Sequence, residues 1–430
     1  MKARAAIQIV LFFSFSGILL SCGQKVEQSD QNVIEEVRPF ELPDILTKND
    51  GGKVNDVNDW ESVRREEILE LFRENVYGRI PEGDVSVAFE LVEVQPDALC
   101  GKAKRKRVLI EMSGNGLTLE ADLLIFLPKQ SEGAVPLFIG MNFFGNHTVH
   151  SDPTIVLPTS HVNNKPEFNI TDNKATHQSR GVRAHRWPLE RILERGYGLA
   201  TIYYGDIDPD FDDNFQNGIH PLFYRENQKS PLDNEWGSIA AWAYGLSRAM
   251  DYFETDADID EERIVLMGHS RLGKTALWAG ALDQRFRVVI SNNSGCGGAA
   301  LSRRRVGEKL VNINTMFPHW FNKNFHSFND REDELPVDQH MLLSLIAPRP
   351  VYVASAELDS WADPQGEYQS LYHAGVVYKL YGQDVYIDES MPNLNQPLWQ
   401  GNMAYHIRSG GHDVTVFDWE KYMDFTDQNL

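Results

Sequence analysis

Residues 263–275 read Arg-Ile-Val-Leu-Met-Gly-His-Ser-Arg-Leu-Gly-Lys-Thr. An apolar strand, Ile264 to Met267, runs into Gly268-His269-Ser270, and a helix-forming run, Thr275 to Ala279, follows. A serine at the apex of a strand–turn–helix is a nucleophile elbow. The sharp turn lifts the hydroxyl above the sheet and turns the next N–H toward a developing oxyanion. The chemistry this spacing supports is acyl transfer through a serine. The usual pattern is Gly-x-Ser-x-Gly. Here Leu272 takes the second glycine place, and Gly273 follows one residue later.

A serine hydroxyl is a poor nucleophile unless a base takes its proton and an acid orients that base. In α/β-hydrolases the order along the chain is serine, acid, histidine. Val351 to Ala356 reads as a late strand, with Glu357-Leu358-Asp359 after it. Arg408-Ser409-Gly410-Gly411-His412-Asp413 then sets a histidine in a glycine-rich loop before the last helical segment. The assignment is Ser270 as nucleophile, His412 as base and Asp359 as acid. Glu357 and Asp363 compete with Asp359, although Asp363 precedes Pro364 and suits a turn.

Arg271 and Lys274 fall in the first turn of the expected helix. That end of a helix is partially positive, so a cation there costs up to about 1 kcal/mol at exposed sites. Stability alone favours acids there, and two cations therefore point to an anionic or polarised ligand. Lys274 lies four residues after Ser270 and shares its face. Arg271 can add its guanidinium to the oxyanion site.

The elements that must hold these groups alternate in type. Strand-like runs occur at 136–141, 199–204, 263–267, 286–291 and 350–354, and a hairpin is expected across Ser113-Gly114-Asn115-Gly116. Helices are expected over 60–77, 236–253 and 416–425 from their apolar periodicity. Such alternation predicts a mostly parallel sheet with helices on both faces over residues 41–430, and the elbow with its serine, acid, histidine order reads it as an α/β-hydrolase three-layer sandwich. Two polar, irregular stretches, 142–186 and 206–234, follow strand ends, where open α/β sheets bind ligands. They are read as walls of a substrate cleft.

The chain carries 41 Lys and Arg against 62 Asp and Glu, a net charge of −21. That balance excludes nucleic acid as partner, because phosphate binding relies on cations. The length suffices for a large core, and α/β folds often run long as one domain. Lys2 and Arg4 precede an apolar run, Ala5 to Leu20, too short for a membrane span and of signal-peptide form. Leu19-Leu20-Ser21-Cys22 resembles the bacterial lipobox. It implies a leader over 1–21, lipidation of Cys22 and an acidic, disordered tether over 22–40. The expected location is the bacterial cell envelope, anchored to the outer membrane by lipid alone. Cys100 and Cys296 make neither a disulfide scaffold nor a zinc site, and their pairing is left open.

Beyond these residues, the chain resembles the bacterial glucuronoyl esterases, the fifteenth carbohydrate-esterase family, over roughly residues 55–425. That family's elbow is Gly-x-Ser-Arg-x-Gly-Lys, matched by Gly268, Ser270, Arg271, Gly273 and Lys274, which accounts for the shifted glycine. Similar segments are Ser294-Gly295-Cys296-Gly297-Gly298, Leu335 to His340, Ala347-Pro348-Arg349-Pro350 and Trp361-Ala362-Asp363-Pro364. The resemblance implies cleavage of the ester joining 4-O-methyl-glucuronic acid of xylan to alcohols of lignin. It implies Arg271 as oxyanion stabiliser, and Lys274, Glu308 and Trp361 as holders of the uronic sugar. It also implies glucuronoxylan or lignin–carbohydrate fragments as partners. The acyl-enzyme cycle needs no metal or organic cofactor, and a monomer is expected. One position departs: many members place the triad acid just before Ser-Gly-x-Gly-Gly, and here that residue is Asn293. Others place it after the later strand, where Asp359 stands. The rival readings are a polysaccharide acetyl esterase on the same fold and a lipidated glycan-binding protein with a vestigial triad. A serine peptidase is disfavoured, because no β-propeller or cap domain is added.

Overall fold

The computed structural model describes residues 37–385 and 388–430. The leader 1–21, Cys22 and the tether up to residue 36 lie outside the described residues. Among the described residues, strands β1 (Ser86–Asp97), β2 (Ala103–Gly114), β3 (Leu117–Pro128), β4 (Val135–Asn142) and β5 (Gly198–Tyr203) join β6 (Ile259–His269), β7 (Val288–Asn292), β8 (Val351–Ala356), β9 (Leu398–Gln400) and β10 (Met403–Arg408) in one sheet. Their spatial order is β1-β2-β3-β5-β4-β6-β7-β8-β10-β9. From β5 to β10 every neighbouring pair is parallel. The β1–β2–β3 meander and β9 pair antiparallel.

Alternation along each strand builds two cores. Leu137, Ile139, Leu266, Val289, Val351 and Val353 pack with α1 (Arg65–Phe72), α2 (Ser238–Phe253), α3 (Arg271–Leu282) and α4 (Pro364–Leu380). Phe138, Val265, Met267, Ile290 and Tyr352 pack with the short helix Leu189–Glu194 and α5 (Val416–Asn429). The result is the expected sandwich, with β5, β7, β8 and β10 buried along their whole length, as parallel strands covered on both faces must be.

The five strand-like runs appear as β4 to β8, shifted by up to four residues at their starts. The hairpin is β2–β3, and its turn residues Asn115 and Gly116 both take positive φ, as a type I′ turn requires. The 60–77 helix is α-helical over α1, with a π-helical segment on either side. Among the elements that were not expected are β10, α4 and β1. β10 reads Met-Ala-Tyr-His-Ile-Arg, and its buried His406 and Arg408 both donate to Asp418 of α5, so polar residues occupy core positions. α4 buries Glu367 and Ser370 among its apolar residues, which blurs its period. β1 is an edge strand with largely exposed side chains. Both irregular stretches remain irregular, broken by single 3-10 turns and, in the first, by the isolated bridges Lys165–Ile170 and Thr171–Lys174, and they leave the C-terminal ends of β4 and β5.

Candidate active site

β6 ends at His269, and α3 begins at Arg271, so Ser270 makes the whole turn alone. It does so at φ 58° and ψ −130°, a left-handed conformation that costs a non-glycine residue of order 1–3 kcal/mol. The Ser270 N–H donates to the Asn292 carbonyl at 2.9 Å, and its own carbonyl accepts from Gly273 N at 2.8 Å. A Cβ at Gly268 would run into the Leu272 carbonyl, and one at Gly273 would sit 2.9 Å from Ser294 Cβ. The crossing of β6 by α3 therefore demands glycine at 268 and 273.

His412 sits in the loop after β10, and Asp359 in the turn after β8. The structure brings them together: His412 Nδ1 donates to Asp359 Oδ2 at 2.6 Å. The His412 ring lies 4.5 Å from the ring of His269, the residue before Ser270, so base and elbow share one place. Asn293 Nδ2 donates to the same Asp359 oxygen at 2.7 Å. Burial alone would raise the Asp359 carboxyl. The hydrogen bond and charge of His412, with Asn293, overcome it and hold the group below the usual carboxylate range. Of the competing acids, Asp363 is bound to Arg304 Nε at 2.7 Å. Leu358 beside Asp359 is exposed, while Asp359 is buried.

Arg271 is not a free cation. Its guanidinium pairs with Asp210 and lies 4.6 Å over the ring of Trp320. Asp210 also accepts from His319 Nε2 at 2.9 Å, Trp320 Nε1 at 2.7 Å and the Tyr204 hydroxyl at 3.0 Å. Burial works against ionisation of Asp210, but Arg271 and His319 prevail, and its carboxyl stays ionised. This cage fixes the guanidinium beside the elbow. Sequence reasoning singled out neither Asp210 nor Trp320; Asp210 lies in the irregular 206–234 stretch, which marked only a cleft wall.

Lys274 is buried one turn into α3. It donates to the Ser294 carbonyl at 2.5 Å and lies 3.8 Å from Glu308. At that separation burial outweighs the lysine's charge, and the Glu308 carboxyl is raised, with Lys274 and the Trp361 indole drawing it back. Trp361 stands 49% exposed, so it is no core tryptophan. Glu308 N–H donates to the Trp361 carbonyl at 2.9 Å, and the Arg304–Asp363 pair ties the same two loops together. Lys274, Glu308 and Trp361 thus converge beside Ser270. They offer an ammonium, a carboxylate and an open indole face, a set that suits hydroxyls and the C–H surface of a sugar.

Cys100 is exposed and Cys296 buried, and both are free thiols. Among the described residues no group of three or more His, Cys, Asp or Glu side chains is placed to hold a metal ion.

Comparison with known proteins places this geometry. A family model described as glucuronyl esterase, fungi, matches residues 198–382. Carbohydrate esterase MZ0003, from an unknown prokaryotic organism, is 50% identical over 396 residues, 92% of this chain and 91% of that protein. A promiscuous CE15 esterase from a marine bacterial metagenome superposes with a TM-score of 0.85 at 49% identity, covering 92% of this chain and 98% of its own. The glucuronoyl esterase from Solibacter usitatus superposes with a TM-score of 0.86 at 45% identity, covering 92% and 99%. With half its residues shared over nine-tenths of both chains, the protein belongs to carbohydrate esterase family 15, the family of the glucuronoyl esterases, and is a carboxylic ester hydrolase of the α/β-hydrolase fold.

Proposed function

We propose that this protein hydrolyses the ester between (4-O-methyl-)glucuronic acid of xylan and a lignin-type alcohol, through an acyl-enzyme on Ser270. The observation that carries the reading is the buried Lys274–Glu308 pair, 3.8 Å apart, beside exposed Trp361 and one helical turn from Ser270. An acetyl group has no hydroxyls for such a pair to hold, whereas a uronic acid presents several. A more distant relative named 4-O-methyl-glucuronoyl methylesterase, from Schizophyllum commune, 26% identical over 353 residues, supports the same substrate class.

In the cycle, His412 takes the Ser270 proton as the oxygen attacks the uronate carbonyl. Asp359 fixes the imidazole with Nδ1–H toward itself, so that Nε2 is the basic nitrogen, and stabilises the imidazolium that forms. The oxyanion is met by the N–H of the residue after the serine and by the Arg271 guanidinium, which Asp210 and Trp320 hold in place. One such donor is worth about 10²–10³ in rate. His412 returns the proton to the departing alcohol. It then activates water, which releases the uronic acid. Export on a lipidated Cys22 belongs to the same proposal and is supported by the lipobox-like Leu19-Leu20-Ser21-Cys22.

The test compares kcat/KM on benzyl glucuronate, benzyl galacturonate and acetylated xylan. The reading expects benzyl glucuronate to be the best of the three. Faster deacetylation of xylan would replace it with an acetyl-esterase reading.

A further inference from the structure

A narrow cavity lies beside His412 on residues the hydrolytic cycle does not use. Arg183, Arg186, Trp187, Phe143, His269 and Val414 border it. It adjoins the base, because the His269 ring lies 4.5 Å from that of His412. None of Lys274, Glu308 and Trp361 borders it. Phe143 touches both sides, 5.8 Å from the Arg271 guanidinium and 6.1 Å from the His269 ring. The space admits a water or a small polar end of a ligand, not a sugar ring.

Two of its polar atoms are left over. Arg186 donates to Asp413 at 2.5 Å, with His185 3.5 Å from the same carboxylate, so its charge is answered. Arg183 makes no ion pair or side-chain hydrogen bond among the described residues. Its Nε is buried without a partner, and its guanidinium lies 5.1 Å over the Phe168 ring. Also on its lining, His269 is 5% exposed, and its Nε2 is buried without a partner. The tautomer follows from its neighbours. Asn292 Nδ2 donates to the Tyr422 hydroxyl at 2.8 Å, which turns Asn292 Oδ1 toward His269 Nδ1 at 2.6 Å. Nδ1 is then the donor and Nε2 a bare acceptor, and burial, aided by Arg186 and His412, keeps the ring neutral. Buried polar atoms in native proteins are nearly always paired, so this cavity offers a ligand one donor and one acceptor.

A carboxylate would satisfy Arg183 but face the Nε2 lone pair and Asp413. A hydroxyl satisfies both atoms: its hydrogen goes to Nε2, and its oxygen accepts from the guanidinium. The base that returns a proton to the leaving alcohol must stand beside that alcohol. The acyl sugar is already accommodated by Lys274, Glu308 and Trp361. We propose that the Arg183–His269 cavity is an alcohol-side subsite that receives a phenolic hydroxyl carried on the departing alcohol, and so selects hydroxylated aromatic alcohols. Only the hydroxyl enters; the ring itself stays outside a space of this size. The inference rests on the uronate-ester reading above.

The test measures kcat/KM for two matched pairs of glucuronate esters of different reach. One pair is meta-hydroxybenzyl against meta-methoxybenzyl; the other is para-hydroxyphenethyl against para-methoxyphenethyl. Each methoxy partner keeps the oxygen and loses the donor. At least one pair is expected to favour the hydroxyl by about tenfold, the worth of one buried hydrogen bond to a charged or orphaned group. Arg183→Met is expected to bring that ratio toward one. Ratios near one in both wild-type pairs, or a ratio that Arg183→Met leaves unchanged, would overturn the subsite. So would a preference for meta-carboxybenzyl over meta-hydroxybenzyl, which would make the cavity an anion site. The wild-type ratios decide alone if the variant does not fold. Absence of turnover on every glucuronate ester overturns the uronate reading and this one with it. Turnover of all at equal rates overturns this one only.

Discussion

Asp359 makes its contribution through a single oxygen, Oδ2, which accepts from both His412 at 2.6 Å and Asn293 at 2.7 Å. With asparagine at position 293, the chain still sets a carboxylate behind His412, and Asn293 is a donor to it. Asp359→Asn removes the charge that favours the productive tautomer and is expected to lower kcat by about 10⁴ with the fold retained. Steady-state kinetics with a circular dichroism control would check it, and near-normal activity would move the acid elsewhere. The meeting of His412 with Asp359 beside the elbow was legible, because order along the chain and the glycine pattern constrain them together. Asp210 was not. One aspartate among 62 acidic residues carries no signal until the fold brings Arg271, His319 and Trp320 to it.

Between these side chains and the sheet stand short loops, and buried polar groups set them. Glu367, in the first turn of α4, accepts from the N–H of Ser294 at 2.7 Å, the N–H of Gly295 at 2.9 Å and Ser355 Oγ at 2.6 Å. It thereby ties the loop after β7 to β8, holding Asn293 and the Ser294 carbonyl that Lys274 grips. Burial pushes its carboxyl up to about 8, against those hydrogen bonds. The native protein therefore holds this proton more tightly than the unfolded chain, where a glutamate titrates near about 4.3. The stability it contributes is complete at acidic pH and is lost as pH rises through about 8. Glu367→Gln cannot ionise and is expected to show a flatter decline in Tm than wild type between about pH 5 and 8, the range between the unfolded and folded values. Parallel declines by calorimetry would contradict this. The parallel strands were legible because burial on both faces leaves continuous apolar runs. β10 and α4 were hidden because His406, Arg408 and Glu367 sit where apolar residues were expected.

The whole molecule is strongly acidic, net −21, yet gathers Arg183, Arg186, Arg271 and Lys274 around one catalytic centre. Two irregular stretches, long for loops, supply much of that wall: Arg183 and Phe168 come from one, Asp210 from the other. Their position after strand ends was readable in sequence, and their internal contacts were not, because irregular backbone has no period to read. The proposed lipidation at Cys22 would set the enzyme on a membrane surface facing insoluble polymer. Several acyl chains on one residue hold a protein to membrane stably, where one chain does not. Cys22→Ser is expected to move the protein from the detergent-released membrane fraction to the soluble fraction. Membrane association persisting in that variant would remove the anchor from the account.

The decisive measurement is acid-quenched turnover of benzyl glucuronate followed by peptide mass spectrometry. The account predicts a glucuronoyl adduct on the peptide holding Ser270, absent in Ser270→Ala along with turnover. An adduct on another residue, or hydrolysis that survives Ser270→Ala, would contradict it.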